Sequence, residues 1–393
     1  MLPYGRKKGT AEGAMMSQRS RREYLETIQP RYKKATKAEK QQILDEFVNI
    51  TGYHRKYAIR ILNKWVRRKL PKKPGPKRIY QGEVVVALEQ IREICGRICS
   101  KRLHPFLPEM VRVLERNNDL QLSAEVKELL LSMSRSSIDR CLRSAHQEHP
   151  HGLSTTKPGT LLKKSIPVRT YTPWDEEKPG FLEIDTVAHC GPTTEGQYVN
   201  TLTCLDISTG WVECLAVLTR NQQTIFEAIK TMRERLPFAL LGIDSDNGSE
   251  FINDLLFQYC QNQEITFTRS RPYRKNDQAH VEQKNWSIVR RLIGYDRFET
   301  EAECKLLRSI YENLRLYSNF FQPVLKLIAK ETVDKKVVKR YDTAATPYQR
   351  VLASKDIPMD VKAHLTNLYV QLNPVKLRTS IDHQIGQLWK ILR

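Results

Sequence analysis

From residue 181 onward the hydrophobic pattern changes period, and that change limits the fold more than any other feature of the chain. Residues 181–189 are rich in strand-forming types. Residues 198–207 and 211–218 flank Ser208-Thr209-Gly210, three turn formers, which predicts a β-hairpin. Residues 222–236 then show helical spacing, 240–244 read as a short buried strand, 250–262 as a helix and 265–269 as a strand. A long helix follows over 277–294, and 301–330 continue as helix. Three strands followed by helix, strand, helix, strand, helix predict an α/β domain over 173–330. Its centre is a mixed five-stranded sheet with helices packed on its faces. The tail, 331–393, reads as a basic helical region with Lys335, Lys336, Lys339 and Arg340 clustered near its start.

The chain ahead of this domain is different in kind. Residues 1–180 contain 37 Lys and Arg against 19 Asp and Glu, so they carry 18 of the 21 excess positive charges. Such a field attracts polyanions, above all the nucleic-acid backbone. Residues 1–20 read as a basic tail. Over 37–66, Ile43, Leu44, Phe47 and Val48 recur at helical spacing, Thr51-Gly52-Tyr53 interrupts them, and Tyr57, Ala58, Ile61, Leu62 and Trp65 resume. Helix, glycine-containing turn, helix is the outline of a helix-turn-helix, in a domain spanning 21–70. Arg55 and Lys56 stand at the leading end of its second helix, where DNA contacts fall. An ordinary helical hairpin with a solvated basic face has the same pattern.

A Pro-rich basic linker follows at 71–80. Three prolines, a glycine and seven positive charges over 67–78 prevent a helix. Arg67, Arg68, Lys72 and Lys73 are placed there to follow a DNA backbone. Residues 81–146 read as a second helical DNA-binding domain. Ser134 can cap its last helix by accepting a first-turn amide, with Arg135 and Ser136 at the leading end. Residues 147–172 form an extended basic connector that includes Lys163 and Lys164.

Other classes are excluded. No apolar run approaches the roughly 18 residues that span a bilayer, and no basic amphipathic helix has the aromatic face of a membrane-surface helix. The eight cysteines lack any CxxC pair and read as reduced thiols of a cytoplasmic protein. Neither Cys95, Cys99 and His104 nor His146, His149 and His151 has the spacing of a zinc finger.

Three carboxylates stand out in the α/β domain. Asp185 lies inside the first strand, in Leu182-Glu183-Ile184-Asp185-Thr186, where a charge is costly unless compensated. Asp246 sits just past the short fourth strand, in Asp244-Ser245-Asp246-Asn247-Gly248-Ser249-Glu250-Phe251. Glu282 is on the long helix, with 35 residues between it and the second. Breaking a phosphodiester needs a more anionic attacking oxygen and a stabilised leaving oxygen. Two Mg²⁺ ions about 4 Å apart meet both needs, and Mg²⁺ prefers carboxylate oxygens. Asp244 is an alternative second ligand. Glu183 and Asp206 read as structural or supporting groups, and Trp286 as a core residue. Asn247 and Asn285 are candidates to orient the ligands. Arg274, Lys275 and Lys284 surround Glu282 in sequence and are candidates to steady phosphates.

Three segments together resemble a known family: Glu183-Ile184-Asp185, Ser245-Asp246-Asn247-Gly248-Ser249-Glu250-Phe251, and the run from Arg271 to Asn285. They are similar to the Asp-Asp-Glu core of retroviral integrases and bacterial insertion-sequence transposases. The 35-residue gap is the one typical of that core, and the resemblance covers about 170–300. Ala279 stands where retroviral integrases usually have Gly, and no His/Cys zinc module precedes the core. Both departures point to a bacterial element. The resemblance implies an RNase H-like fold and two Mg²⁺ or Mn²⁺ ions held by Asp185, Asp246 and Glu282. It implies strand cleavage at the ends of a mobile element and transfer to target DNA, by a homo-oligomer assembled on double-stranded DNA at the bacterial nucleoid. A catalytically inactive, transposase-derived DNA-binding regulator is the alternative.

Overall fold

A computed structural model describes residues 16–63, 79–145, 177–270, 278–333 and 336–391. They fall into two compact units, divided between Lys77 and Arg78. The first holds helices α1 (Gln18–Lys34), α2 (Lys37–Thr51) and α3 (Arg55–Asn63). Ser17 opens α1 by accepting the Ser20 amide at 3.1 Å. A capping box of Thr36 and Glu39 opens α2, and Gly52 closes it in the left-handed conformation that glycine adopts without strain. Phe47, fully buried, is the centre of the unit, packed with Ile28, Tyr32, Ile43, Leu44, Ala58 and Leu62. The sequence reading began this domain at 21 and counted two helices. α1 is the third wall, and without it the apolar faces of α2 and α3 would be open to water.

In the second unit five strands form one sheet: β1 (Phe181–Ala188), β2 (Asn200–Asp206), β3 (Val212–Val217), β4 (Gly242–Ser245) and β5 (Thr266–Arg269). Their order is β3-β2-β1-β4-β5. The first three pair antiparallel, whereas β1, β4 and β5 pair in parallel. This is the mixed, RNase H-like sheet implied by the sequence. Helices α8 (Gln222–Arg235) and α9 (Asp254–Asn262) cover one face, packing Ile225, Ile229, Met232 and Leu256 on Leu182, Ile184, Leu202 and Ile243. Strand alternation turns Glu183, Asp185 and Val187 to the other face. There run α10 (Ala279–Lys284), a π-helical turn (Asn285–Arg290), α11 (Arg291–Ile293) and α12 (Glu301–Phe321).

Two expectations about boundaries are corrected. Helices α4 (Glu83–Ile94), α5 (Ser100–Arg116), α6 (Ala124–Leu131) and α7 (Arg135–Cys141) do not make a separate domain. Leu88, Leu103, Leu107 and Met110 share one core with Val187, Val212, Leu307 and Phe321. The Tyr317 hydroxyl and the Gln322 amide donate to the carbonyls of Ile94 and Cys95 at 2.5 and 2.9 Å. The chain also stops being helical at Phe321, because Pro323 follows. A two-stranded ribbon, β6 (Leu327–Val333) with β7 (Lys336–Tyr341), occupies the region read as helix. Helices α13 (Pro347–Ala353), α14 (Met359–Gln371) and α15 (Pro374–Ile391) complete the unit, with α15 packed along α12.

Candidate active site

Asp185 is half-buried near the middle of β1. Its two oxygens are held by different neighbours. Oδ1 accepts the Thr186 amide at 2.7 Å, and Oδ2 accepts Asn285 Nδ2 at 2.7 Å. Burial, reinforced by the charges of Asp246, Glu282 and Glu250, pushes its carboxyl from the ordinary 3.8 up to about 8, against the pull of the Thr186 amide. The same three carboxylates that crowd Asp185 electrostatically include both of the partners expected from sequence.

Asp246 sits one residue past β4, the parallel neighbour of β1. The Gly248 amide donates to Asp246 Oδ1 at 2.8 Å. A Cβ at Gly248 would stand 2.6 Å from Glu250 Oε2 and 2.9 Å from Asp246 Oδ1, so a side chain there would make the two carboxylates shift. Glu250 is buried, faces Arg220 at 3.4 Å and accepts the Thr186 hydroxyl at 3.4 Å. Sequence reasoning missed it as part of the acidic group. Its place two residues past Gly248, within the same turn as Asp246, was the available signal.

Glu282 is exposed on α10. Asn285, one turn on, is buried against Asp185, and its Oδ1 has no hydrogen-bond partner among the described residues. Trp286, expected in the core, is 47% exposed instead. It stands four residues from the exposed Glu282 and shares that side of the helix, at the start of a π-helical turn.

Other expected residues are placed elsewhere. Asn247 donates to the Ser270 carbonyl at 2.9 Å and accepts from Arg269 at 3.2 Å, so it ties the end of β4 to the end of β5. Asp244 is fully buried and accepts the Thr268 hydroxyl at 2.6 Å, a tie between β4 and β5. Asp206 braces the β2–β3 turn, accepting the amides of Gly180 and Thr209. Lys284 lies two residues from Glu282 and turns inward. Burial, with the charge of Arg102 next, pushes its ammonium down to about 8, and Cys214 and Arg350 also act on it. Arg55 is ion-paired with Asp45, Lys56 is exposed, and Arg135 and Ser136 are exposed at the start of α7. Arg67, Arg68, Lys72, Lys73, Lys163, Lys164, Arg274 and Lys275 lie outside the described residues, as do the 71–78 and 147–172 segments read as linker and connector.

Residues 175–275 match the integrase core domain family. Over 345 residues the chain is 41% identical to the uncharacterized protein y4rM of Sinorhizobium fredii (strain NBRC 101917 / NGR234), covering 85% of this chain and 96% of that one. The chain belongs to the family of that protein. Its sheet domain is an integrase-type core. Among solved structures, the catalytic core domain of BIV integrase is 18% identical, with 43% of this chain and 91% of that chain covered at a TM-score of 0.30. The HTLV-2 integrase catalytic core domain in complex with magnesium is 15% identical, with 37% and 90% covered at a TM-score of 0.29.

Among the described residues no three His, Cys, Asp or Glu side chains are already arranged as a metal cage. The donor set nonetheless suits a hard divalent cation. Burial first, and then the charges of Asp246, Glu282 and Glu250, raise the proton affinity of Asp185, and the buried Oδ1 of Asn285 beside it has no hydrogen-bond partner among the described residues. A cation or a proton would offset those charges.

Proposed function

We propose that this protein is a DNA transposase that cleaves DNA at the ends of a mobile element and joins them to target DNA. The observation that carries the reading is one of placement: Asp185 on β1 and Asp246 just past its parallel neighbour β4 lie beside α10, Asn285 at the end of α10 donates to Asp185, and the charges of Asp246 and Glu282 both act on Asp185. Asp185, Asp246 and Glu282 are the residues that would hold Mg²⁺ or Mn²⁺. When bound, two such ions would activate the attacking oxygen and stabilise the leaving one. The protein's own groups prepare that set. The Thr186 amide and Asn285 orient the two oxygens of Asp185, and the Gly248 amide orients Asp246.

The excess positive charge of the first 180 residues supports double-stranded DNA as the partner, with phosphates drawn by charge and sequence read by exposed side chains such as Lys56, Arg135 and Ser136. The three-helix unit at 16–63 supports the helix-turn-helix reading, with α3 as the helix that meets DNA. No helix of the described residues is long and apolar enough to cross a membrane.

The test uses the full chain and a supercoiled plasmid carrying the DNA that flanks its gene. With Mg²⁺ or Mn²⁺ the wild type nicks at the ends of the flanking repeats and gives joined products, and Asp185→Asn gives neither. Wild-type protein that binds those ends but never cuts them would overturn the reading in favour of a DNA-binding regulator.

A further inference from the structure

The helix that carries Glu282 rests on a second pair of carboxylates. Glu183 and Asp244 are direct neighbours in the parallel β1–β4 pairing, each two residues ahead of Asp185 and Asp246. They are 1% and 0% exposed. At that depth a carboxylate needs hydrogen-bond donors, and the start of α10 supplies them. Glu183 Oε2 accepts the Val281 amide at 2.9 Å, and Oε1 lies 3.2 Å from His280 Nδ1. Gln278 Nε2 donates to the Asp244 carbonyl at 3.2 Å and reaches its Oδ2 at 3.4 Å.

These contacts matter because of where they fall. α10 runs on through the π-helical turn into α11, but the amides of its first turn have no partner within the helix. The Val281 amide is one of these, and Glu282 is the next residue. Whatever holds that amide therefore decides where the Glu282 side chain starts. Strand alternation adds the second half of the argument. Residues two apart on β1 share a face, so one strand presents Glu183 to the helix start and Asp185 to the helix's next turn, where Asn285 meets it.

We propose that Glu183 and Asp244 are positioning residues that dock residues 278–282 on the sheet and thereby set Glu282 against Asp185 and Asp246. The inference deepens the reading of those three as a metal-holding set, and rests on it. One strand pair thus supplies both the anchors of the helix and two members of the acidic group.

Two measurements on the full-length protein test this: hydrogen exchange of the 278–285 segment, and Mn²⁺ binding followed by electron paramagnetic resonance. Glu183→Gln keeps the size of the side chain and removes its charge. It is expected to speed exchange at Val281 about tenfold or more while β2 and β3 stay protected. It is also expected to weaken Mn²⁺ binding by roughly 10–100-fold, the range for a residue acting through a ligand. Glu282→Gln should weaken Mn²⁺ binding and leave Val281 exchange unchanged, which separates anchor from ligand. Should Glu183→Gln not fold, Gln278→Ala gives the same two readouts with smaller factors, because Thr268 still serves Asp244. Wild-type exchange and wild-type Mn²⁺ affinity in the folded anchor variants would overturn the proposal. Wild-type protein that binds no Mn²⁺ would overturn the metal reading, and exchange alone would then decide the anchor.

Discussion

In the three-helix unit the charged side chains lie at the surface, around a core of Ile28, Tyr32, Ile43, Leu44, Phe47, Ala58 and Leu62. In the sheet unit several lie inside. Glu183, Asp206, Glu213 and Asp244 are all at most 1% exposed, and each has named donors around it. The contrast shows what charge does in each place. Outside, it costs the fold little and is available to a partner such as a phosphate backbone. Inside, it must be satisfied by particular groups, and so it fixes the positions of the elements that bring them.

The sharpest way to break this comparison is to separate binding from chemistry. Asp246→Asn is expected to remove cleavage and strand transfer by far more than the roughly 10–100-fold cost of losing a supporting group. End binding should stay close to wild type, since the change replaces a carboxylate and removes no basic side chain. Gel shifts and cleavage assays on the same preparation decide it. Parallel loss of both would show that the two regions do not divide the work.

Stability comes next. Arg315 pairs with Glu213 at 2.9 Å, and the indole of Trp211 donates to the same carboxylate at 2.9 Å. Burial still holds the Glu213 carboxyl above its usual range, with the Arg315 charge opposing it. Arg315→Ala leaves that carboxylate buried without its cation and should cost about 3–5 kcal/mol in urea denaturation. The surface pair Arg19–Glu23 gives the contrast, because both groups are well exposed. Arg19→Ala should leave the midpoint where it was. Similar losses in both would mean that burial is not what distinguishes them.

A smaller effect is expected with pH. His189 is fully buried, and burial, with the charge of Arg290 next, pushes its imidazole from 6.5 down to about 3. Its Nε2 lies 2.8 Å from the Thr201 hydroxyl. Between pH 6.5 and 3 the unfolded chain therefore binds a proton that the native state does not. Stability from this group is complete above 6.5 and falls as pH drops toward 3. His189→Gln should reduce the loss of urea midpoint between pH 7 and pH 4. An unchanged slope would assign the acid sensitivity to other groups.

The smallest change expected is in the three-helix unit. Arg55 is engaged by Asp45 and must leave it to reach a base edge. Asp45→Asn should strengthen DNA binding modestly. Arg55→Ala should relax sequence preference at a cost of up to roughly 1–3 kcal/mol if the contact is made. Lys56→Ala should weaken all sequences alike and flatten the salt dependence by about 0.9 in the slope of log affinity against log salt. A salt titration of full-length variants on matched and scrambled ends separates the two.

Much of the sheet domain was legible before any coordinates. The hairpin around Ser208-Thr209-Gly210, the strands at 240–244 and 265–269 and the helix between them appear close to where their periodicity put them. The failures have common causes. A periodic apolar face shows that a helix is buried but not against what, so α4 to α7 read as a free-standing domain when they share a core with the sheet. Neighbours in sequence on a helix do not share a face, so Lys284 read as a phosphate contact although it turns inward. Trp286 read as core because large aromatics usually are, although it stands four residues from Glu282 and shares the exposure of that face.

Sequence alone determined that carboxylates two apart on one strand, Glu183 and Asp185, must face the same way, since strand alternation permits nothing else. It read Glu183 as a supporting group, but it left Asp244 open as an alternative to Asp246 and could not say what would hold either buried carboxylate. The choice was made by what packs above them. The start of α10 takes Glu183 and Asp244 into its hydrogen bonds, while Asp185 is met by Asn285 one turn on and feels the charges of Asp246, Glu250 and Glu282. The donors come from 98 residues beyond Glu183 and 34 beyond Asp244, because hydrogen bonds to buried charges form only where the folded chain delivers a donor.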